Sequence, residues 1–306
     1  MASQKDVKNR ISSVRNIQKI TRAMEMVAAA RLRRAEQRIA ALRPYAGAIR
    51  RMTRRTVEAV QHIPNMPLLE ERERVERVGL LLVTGDRGLA GAFNSQIVRA
   101  GVRRADELRE EGSDTVWYAS GRRGVGSLRF RGRDVEGAYE GFTDRPAFAD
   151  ARDIAGDLAT AYVDGKVDRV EIIYNGYVSA LTQTVTRDVL LPLQAIEELA
   201  GDAGEGDGGA EEAAEEERSR RTQWLYEPEP EEILQRLIPD YIEISVFRAL
   251  LESTASEHGA RMTAMRNAQE NAGEMIDGLT LEMNRQRQAE ITQEIMEVVA
   301  GAEGLT

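Results

Sequence analysis

Apolar residues near the start of the chain recur in steps of three and four, at Val7, Ile11, Val14, Ile17, Ile20, Met24 and Val27. Such steps place side chains on one face of a helix, and the pattern predicts a helix from residue 4 to about 58. Ser3 and Asp6 have the spacing of a capping box at its start. Alanines 28 to 30 and 35 then replace the larger side chains and let a neighbour approach closely. Arg43-Pro44 is expected to kink or briefly interrupt the helix, because proline supplies no N–H. At 1.5 Å per residue the segment would be roughly 80 Å long.

The end of the chain mirrors the beginning. From Pro239, suited to a first turn, helical sequence runs to about Ala300. Arg261, Met265, Ala268, Ala272, Met275, Leu279 and Glu282 follow a heptad spacing, which predicts a left-handed coiled coil. Its seam of Met and Ala is thin and adaptable. The two terminal helices are expected to pair antiparallel, because the long stretch between them must leave and return at the same end.

That stretch alternates differently. Val78-Gly-Leu-Leu-Leu-Val83 is a continuously apolar run, as in a strand buried on both faces. Ile97, Gly101, Ala105 and Leu108 follow at helical spacing, then a strand at Thr115–Ala119. Pro146 opens a second helix with Phe148, Ala151, Ala155, Leu158 and Tyr162 on one face. Val170–Tyr174 and the Thr-rich run from Leu181 to Val189 read as two more strands. Strands alternating with helices predict a mostly parallel sheet covered by helices. The expected divisions are therefore 1–60, a helix; 75–200, an α/β domain; 201–222, an acidic loop; 223–238, a return segment; and 239–306, a helix. Between Gly201 and Glu217 lie eight acidic residues and no base, a composition that cannot bury apolar surface.

Composition narrows the chemistry. With no cysteine and two histidines, thiolate metal sites and cysteine nucleophiles are excluded and histidine catalysis is poorly supplied. His62 and His258 read as surface residues. No apolar run is long enough to span a bilayer, and the polar N-terminus lacks the apolar core of a signal peptide. Residues 1–58 hold 15 Lys+Arg against 4 Asp+Glu, whereas 241–306 hold 5 against 11. A basic first helix and an acidic last one attract each other when side by side.

Gly85-Asp-Arg-Gly-Leu-Ala-Gly91 follows the first strand, where a glycine-rich turn can cradle phosphate. Its glycines are three apart, no Gly-Lys-Ser/Thr follows, and neither Gly124-Val-Gly126 nor Gly165-Lys-Val167 completes a nucleotide motif. A tight turn presenting the Asp86–Arg87 charge pair to a partner protein fits better. Arginines 31, 33, 34 and 38 and 50, 51, 54 and 55 cluster, but no zipper or helix-turn-helix accompanies them, which disfavours nucleic acid.

Ile17-Gln-Lys-Ile-Thr-Arg-Ala-Met-Glu-Met-Val-Ala-Ala29 resembles the signature of the gamma subunit of F-type ATP synthases. So do Arg43-Pro-Tyr45, Asp86-Arg-Gly-Leu89, Tyr226-Glu-Pro228 and Arg287-Gln-Ala-Glu-Ile-Thr-Gln-Glu294, in order along the chain. The resemblance implies an antiparallel left-handed coiled coil of both terminal helices plus a central Rossmann-like α/β domain, acting as a rotor stalk without catalytic residues, cofactor or metal. It implies alpha and beta subunits, an epsilon subunit and a membrane c-ring as partners, and a place on the cytoplasmic face of a bacterial inner membrane, reached only through those partners. Met24, Asp86 and Arg87 would lie near the beta levers, and Arg261, Arg287, Gln288 and Thr292 against the surrounding ring. Tyr226 and Glu227 would lie at the foot near the c-ring. The acidic stretch 201–217 is outside the family pattern, and the missing cysteines exclude the thiol switch of chloroplast members.

Overall fold

The computed structural model describes residues 4–59, 66–69, 72–193 and 227–303. The acidic stretch, His62 and Tyr226 lie outside them. The chain forms two units, Met1–Ala30 with Arg261–Thr306, and Arg31–Ala260. Two long helices, α1 (Gln4–Ala59) and α5 (Pro230–Glu303), contribute to both.

The larger unit is built on a five-stranded sheet. Its elements are β1 (Arg77–Val83), α2 (Phe93–Glu110), β2 (Asp114–Ser120), α3 (Arg122–Phe130), β3 (Val135–Tyr139), α4 (Phe148–Val163), β4 (Arg169–Tyr177) and β5 (Gln183–Leu191). The strand order is β3-β2-β1-β4-β5. All neighbours are parallel except β4 and β5, which form an antiparallel hairpin. The apolar run of β1 serves both faces at once. Leu81 and Val83 join α4 and α5 through Ile154, Leu158, Tyr162, Leu234, Ile238 and Val246. Leu80 and Leu82 join α2 and α3 through Ile97, Leu108, Val125 and Leu128. Gly101 lets α2 approach this face, since a Cβ there would fall 2.6 Å from Leu82. Ile49 of α1 packs with Leu237 and Ile244 of α5 in a satellite cluster.

Four strands and the helices at 93–110 and 148–163 stand where the sequence pattern puts them. Elsewhere the pattern needs correction. Helix α3 and strand β3 were not expected. The first is short and carries Gly124 and Gly126; the second is five residues of alternating half-exposed positions around Gly137. Helix α5 starts at Pro230 rather than Pro239, with Glu231 and Glu232 in a first turn that favours acidic side chains. Pro239 and Pro44 lie inside helices that continue past them, each proline removing only its own bond to the carbonyl four residues back. His258, read as a surface residue, is 1% exposed.

In the smaller unit α1 and α5 touch through residues 4–30 and 261–303. Gln18 Nε2 donates to the Gln269 carbonyl at 3.5 Å, and Arg266 pairs with Glu25 at 3.0 Å. Rising numbers on one helix thus meet falling numbers on the other. The ion pair reverses the expected sense, its base lying on the acidic helix and its acid on the basic one. On α1 Val7, Ile11, Val14, Gln18, Thr21, Glu25 and Ala28 are buried or half-buried at heptad spacing, with Met24 half-buried beside Glu25. It departs from the apolar row after Val14. Ile17, Ile20 and Val27 are 53%, 58% and 53% exposed, so the inner row continues on polar and small residues. On α5 the inward row runs Arg261, Met265, Ala268, Ala272, then Ile276, Leu279 and Met283, leaving Met275 exposed and Glu282 outside. A helix of 3.6 residues per turn drifts about 20° per heptad, and this drift moves the contact from 275 to 276.

Candidate contact sites

In a doubly wound sheet a ligand enters the crevice between strands whose crossovers go to opposite sides, here β1 and β4. Helix α5 lies across that crevice. Ser253 Oγ donates to the Val83 carbonyl at 3.3 Å and Ser256 Oγ to the Asn175 carbonyl at 3.0 Å. A Cβ on Gly85 would come within 2.7 Å of the Glu257 carboxylate, so the glycine makes room for this buried acid. Two N–H groups of the loop are also engaged. That of Gly85 donates to Asn94 Oδ1 at 2.8 Å and that of Asp86 to Thr143 Oγ1 at 2.8 Å. The start of the glycine-rich loop is thus held by α2 and by the turn before α4.

Asp86 and Arg87 face different ways. Asp86 accepts from the backbone N–H groups of Gly141 at 3.0 Å, Arg122 at 3.1 Å and Thr143 at 3.2 Å, and from Thr143 Oγ1 at 3.0 Å. Burial raises its pKa, but the donors of Gly141, Arg122 and Thr143 together hold it below the ordinary carboxylate value. Its side chain is 11% exposed, whereas that of Arg87 is 66% exposed and lies 3.7 Å from Asp144. Of the expected pair, Asp86 secures the loop from within and Arg87 stands at the surface.

The other sequence-derived positions are spread along the helices. Met24 is half-buried on α1 and Arg261 is buried at the start of the inward row of α5. Arg287, Gln288 and Thr292 lie in a fully exposed run from Arg287 to Val298. Thr292 Oγ1 donates to the Gln288 carbonyl at 2.8 Å, inside the helix. That run also exposes Ile291, Ile295, Met296 and Val298, and the α1 row exposes Ile17, Ile20, Met26 and Val27. Glu227 is exposed, just ahead of α5. Sequence reasoning missed Thr143 and Asp144. Their sole signal was Gly141-Phe-Thr-Asp-Arg-Pro146, a Gly-to-Pro turn before a helix.

Among the described residues no cluster of His, Asp and Glu could hold a metal ion, and no helix is long and apolar enough to cross a membrane. A family model described as ATP synthase matches residues 3–305. The chain is 43% identical over 305 residues to the ATP synthase gamma chain of Moorella thermoacetica, covering the whole of both. It is 42% identical over 306 residues to that of Rubrobacter xylanophilus, covering 100% of this chain and 99% of the relative.

The chain belongs to the ATP synthase gamma chain family.

Solved structures agree with this membership. The central stalk and c-ring structure of the Tetrahymena thermophila mitochondrial ATP synthase contains a chain of similar fold, with TM-score 0.60 and 26% identity, covering 81% of this chain and 99% of that one. A chain of the Euglena gracilis mitochondrial enzyme superposes with TM-score 0.65 at 16% identity, covering 99% and 94%, and so shares the fold. A gamma chain is a subunit of the ATP synthase complex, and this chain resembles a chain of the central stalk and c-ring structure. The exposed apolar rows on α1 and α5 are thus surfaces of a protein that belongs to a larger assembly.

Proposed function

We propose that the chain is the central rotor stalk of an ATP synthase, coupling proton flow through a membrane c-ring to the conformational cycle of the catalytic beta subunits. It performs no bond chemistry itself. Its terminal helices act as an antiparallel coiled coil inside a ring of alpha and beta subunits. The heptad of α1 from Val7 to Ala28 supports left-handed winding there, and the drift on α5 past Ala272 relaxes it. The α/β domain, with Tyr226 and Glu227 ahead of α5, forms the foot beside an epsilon subunit and the c-ring. Membrane contact is made only through these partners, on the cytoplasmic face of a bacterial inner membrane.

The observation that carries this reading is the exposed row of Ile17, Ile20 and Val27 beside a polar inner row. A solitary helix pair would turn its largest apolar residues inward; this one reserves them for something outside. Rotation presents that row, with Met24 and Arg87, to one beta subunit after another, while Arg261, Arg287, Gln288 and Thr292 meet the ring elsewhere. Shifting a two-state subunit from 1:99 to 99:1 takes about 5.5 kcal/mol of differential contact. At about 25 cal/mol per Å² that is roughly 220 Å² of apolar area, which a few half-exposed aliphatic side chains supply. An uneven surface is sufficient, and no tight binding site is needed. The test is purification of the chain from native membranes. Recovery with alpha, beta, epsilon and c subunits is expected; recovery free of alpha and beta would reject the reading.

A further inference from the structure

The six residues Gly141–Pro146 receive contacts from three directions. From α1, Arg31 Nη1 donates to the Asp144 carboxylate and Arg38 Nη2 to the Pro146 carbonyl. From the loop after β1, Asp86 takes the N–H groups of Gly141 and Thr143, and Arg87 approaches Asp144 at 3.7 Å. From α5, Thr254 Oγ1 donates to the Thr143 carbonyl at 2.9 Å. On α1, between Arg31 and Arg38 in sequence, Glu36 accepts from Tyr177 Oη, and Leu32 and Ala35 are buried.

We propose that Asp144 is the positioning residue that makes α1 and the loop carrying Arg87 turn as one piece, so that this link transmits torque. The proposal rests on the rotor reading. Apolar contact along Leu32 and Ala35 is non-directional and does not by itself oppose rolling of the helix. Charged hydrogen bonds fix register. A roll of α1 by one residue position is about 100°, which takes Arg31 off Asp144. The Oδ1 of this carboxylate is buried without a hydrogen-bond partner, and its Oδ2 is shared by Arg31 of α1 and Arg87 of the loop, so one oxygen joins the two segments. Loss of Asp144 leaves Arg31 and Arg87 with no carboxylate between them, and loss of Arg31 leaves the loop pair without its tie to α1.

The test uses the assembled, membrane-bound enzyme. In Asp144→Ala and Arg31→Ala, ATP hydrolysis is expected to stay within about twofold of the parent, while ATP-driven proton pumping against a rising gradient falls about threefold or more. The chain has no cysteine, so Arg31→Cys with Asp144→Cys can be joined by a short bis-maleimide once reactive thiols elsewhere in the complex are removed. Pumping is expected to be low before joining and to recover to at least about half afterwards, since a covalent tether replaces the register the ion pair set. Unchanged pumping in the alanine variants, an equal fall in hydrolysis and pumping, or a tether that restores nothing would overturn the proposal. Failure of the rotor reading is a different result, in which the parent chain itself does not assemble with alpha and beta subunits.

Discussion

Asp86 and Gly141 meet through both carboxylate oxygens, each 3.0 Å from the Gly141 N–H, across 55 positions of sequence. This contact joins the loop after β1 to the turn before α4 and keeps Asp86 away from the surface. Asp86→Ala removes the acceptor for three backbone N–H groups at a site with little access to water. It is expected to cost about 2–4 kcal/mol, and to raise hydrogen exchange at Gly141 and Thr143 before the rest of the sheet. Exchange unchanged at those amides would remove the clamp role.

The same carboxylate carries a pH dependence of definite sign. Its folded pKa lies below its ordinary value, so it adds stability that is complete above that value and lost as pH falls through the folded one. Acid unfolding of the parent is therefore steeper than that of Asp86→Asn, and the two stabilities converge at low pH. Parallel curves throughout would contradict this.

Two glycines with positive φ separate crowding from strain. Gly121 has φ 90°, and a Cβ there would fall 2.3 Å from the Thr84 carbonyl oxygen; Gly132 has φ 70° and open space. Gly132→Ala is expected to cost about 1–2 kcal/mol, for the left-handed backbone alone. Gly121→Ala adds a backbone clash and is expected to lower the melting temperature clearly further. Equal shifts would mean that the β2–α3 turn relaxes freely.

Arg104 binds Glu171 at 2.9 Å through both guanidinium and carboxylate forks, beneath Glu107 and Glu111. The hydrogen bond to Glu171 raises the Arg104 pKa against the opposing effect of burial. Glu171→Ala removes the buried fork while Glu107 and Glu111 remain on Nη1, and is expected to cost about 1.5–3 kcal/mol in urea unfolding, whereas Glu107→Gln, half-exposed, costs less than about 1. Arg104→Met with Glu171→Leu is expected to recover most of the loss, because a matched apolar pair leaves no charge behind.

The exposed row on α1 separates folding from assembly. Ile17→Asp and Ile20→Asp place charges on positions already in water, so the helix content and melting of the isolated chain are expected to change little. Assembly with alpha and beta subunits, or pumping per ATP hydrolysed, is expected to fall. Met24→Lys is expected to act similarly, by putting a charge near a beta lever. Normal coupling in all three variants would move the contact surface elsewhere.

Where each property is legible in sequence follows from its physics. The apolar run of β1 announces a buried strand because both of its faces are covered, and Leu80 through Val83 supply both cores. Strand β3 leaves no such mark, since half its side chains face outward and Val135 is its one β-branched residue. The face of α1 is misread after Val14 for a related reason. Periodicity finds the most apolar row, Ile17, Ile20 and Val27, but cannot tell whether another segment or another protein covers it. The inward row, Gln18, Thr21 and Ala28, is set by which residues let α5 approach. Asp86 was legible as a motif but not as a clamp, because Gly141 and Thr143 reach it only through the fold. His258 looked like a surface residue because nothing nearby in sequence reveals that α5 crosses the ends of β1 and β4.

The central claim is mechanical, and rotation tests it most directly. Phe130 is exposed at the end of α3, and the chain has no other cysteine, so Phe130→Cys accepts a single optical probe. In a complex immobilised through its beta subunits, ATP is expected to drive the probe round in one direction, in three equal steps per turn if three beta sites act in sequence. A probe that stays still while the same complexes hydrolyse ATP would contradict the rotor account.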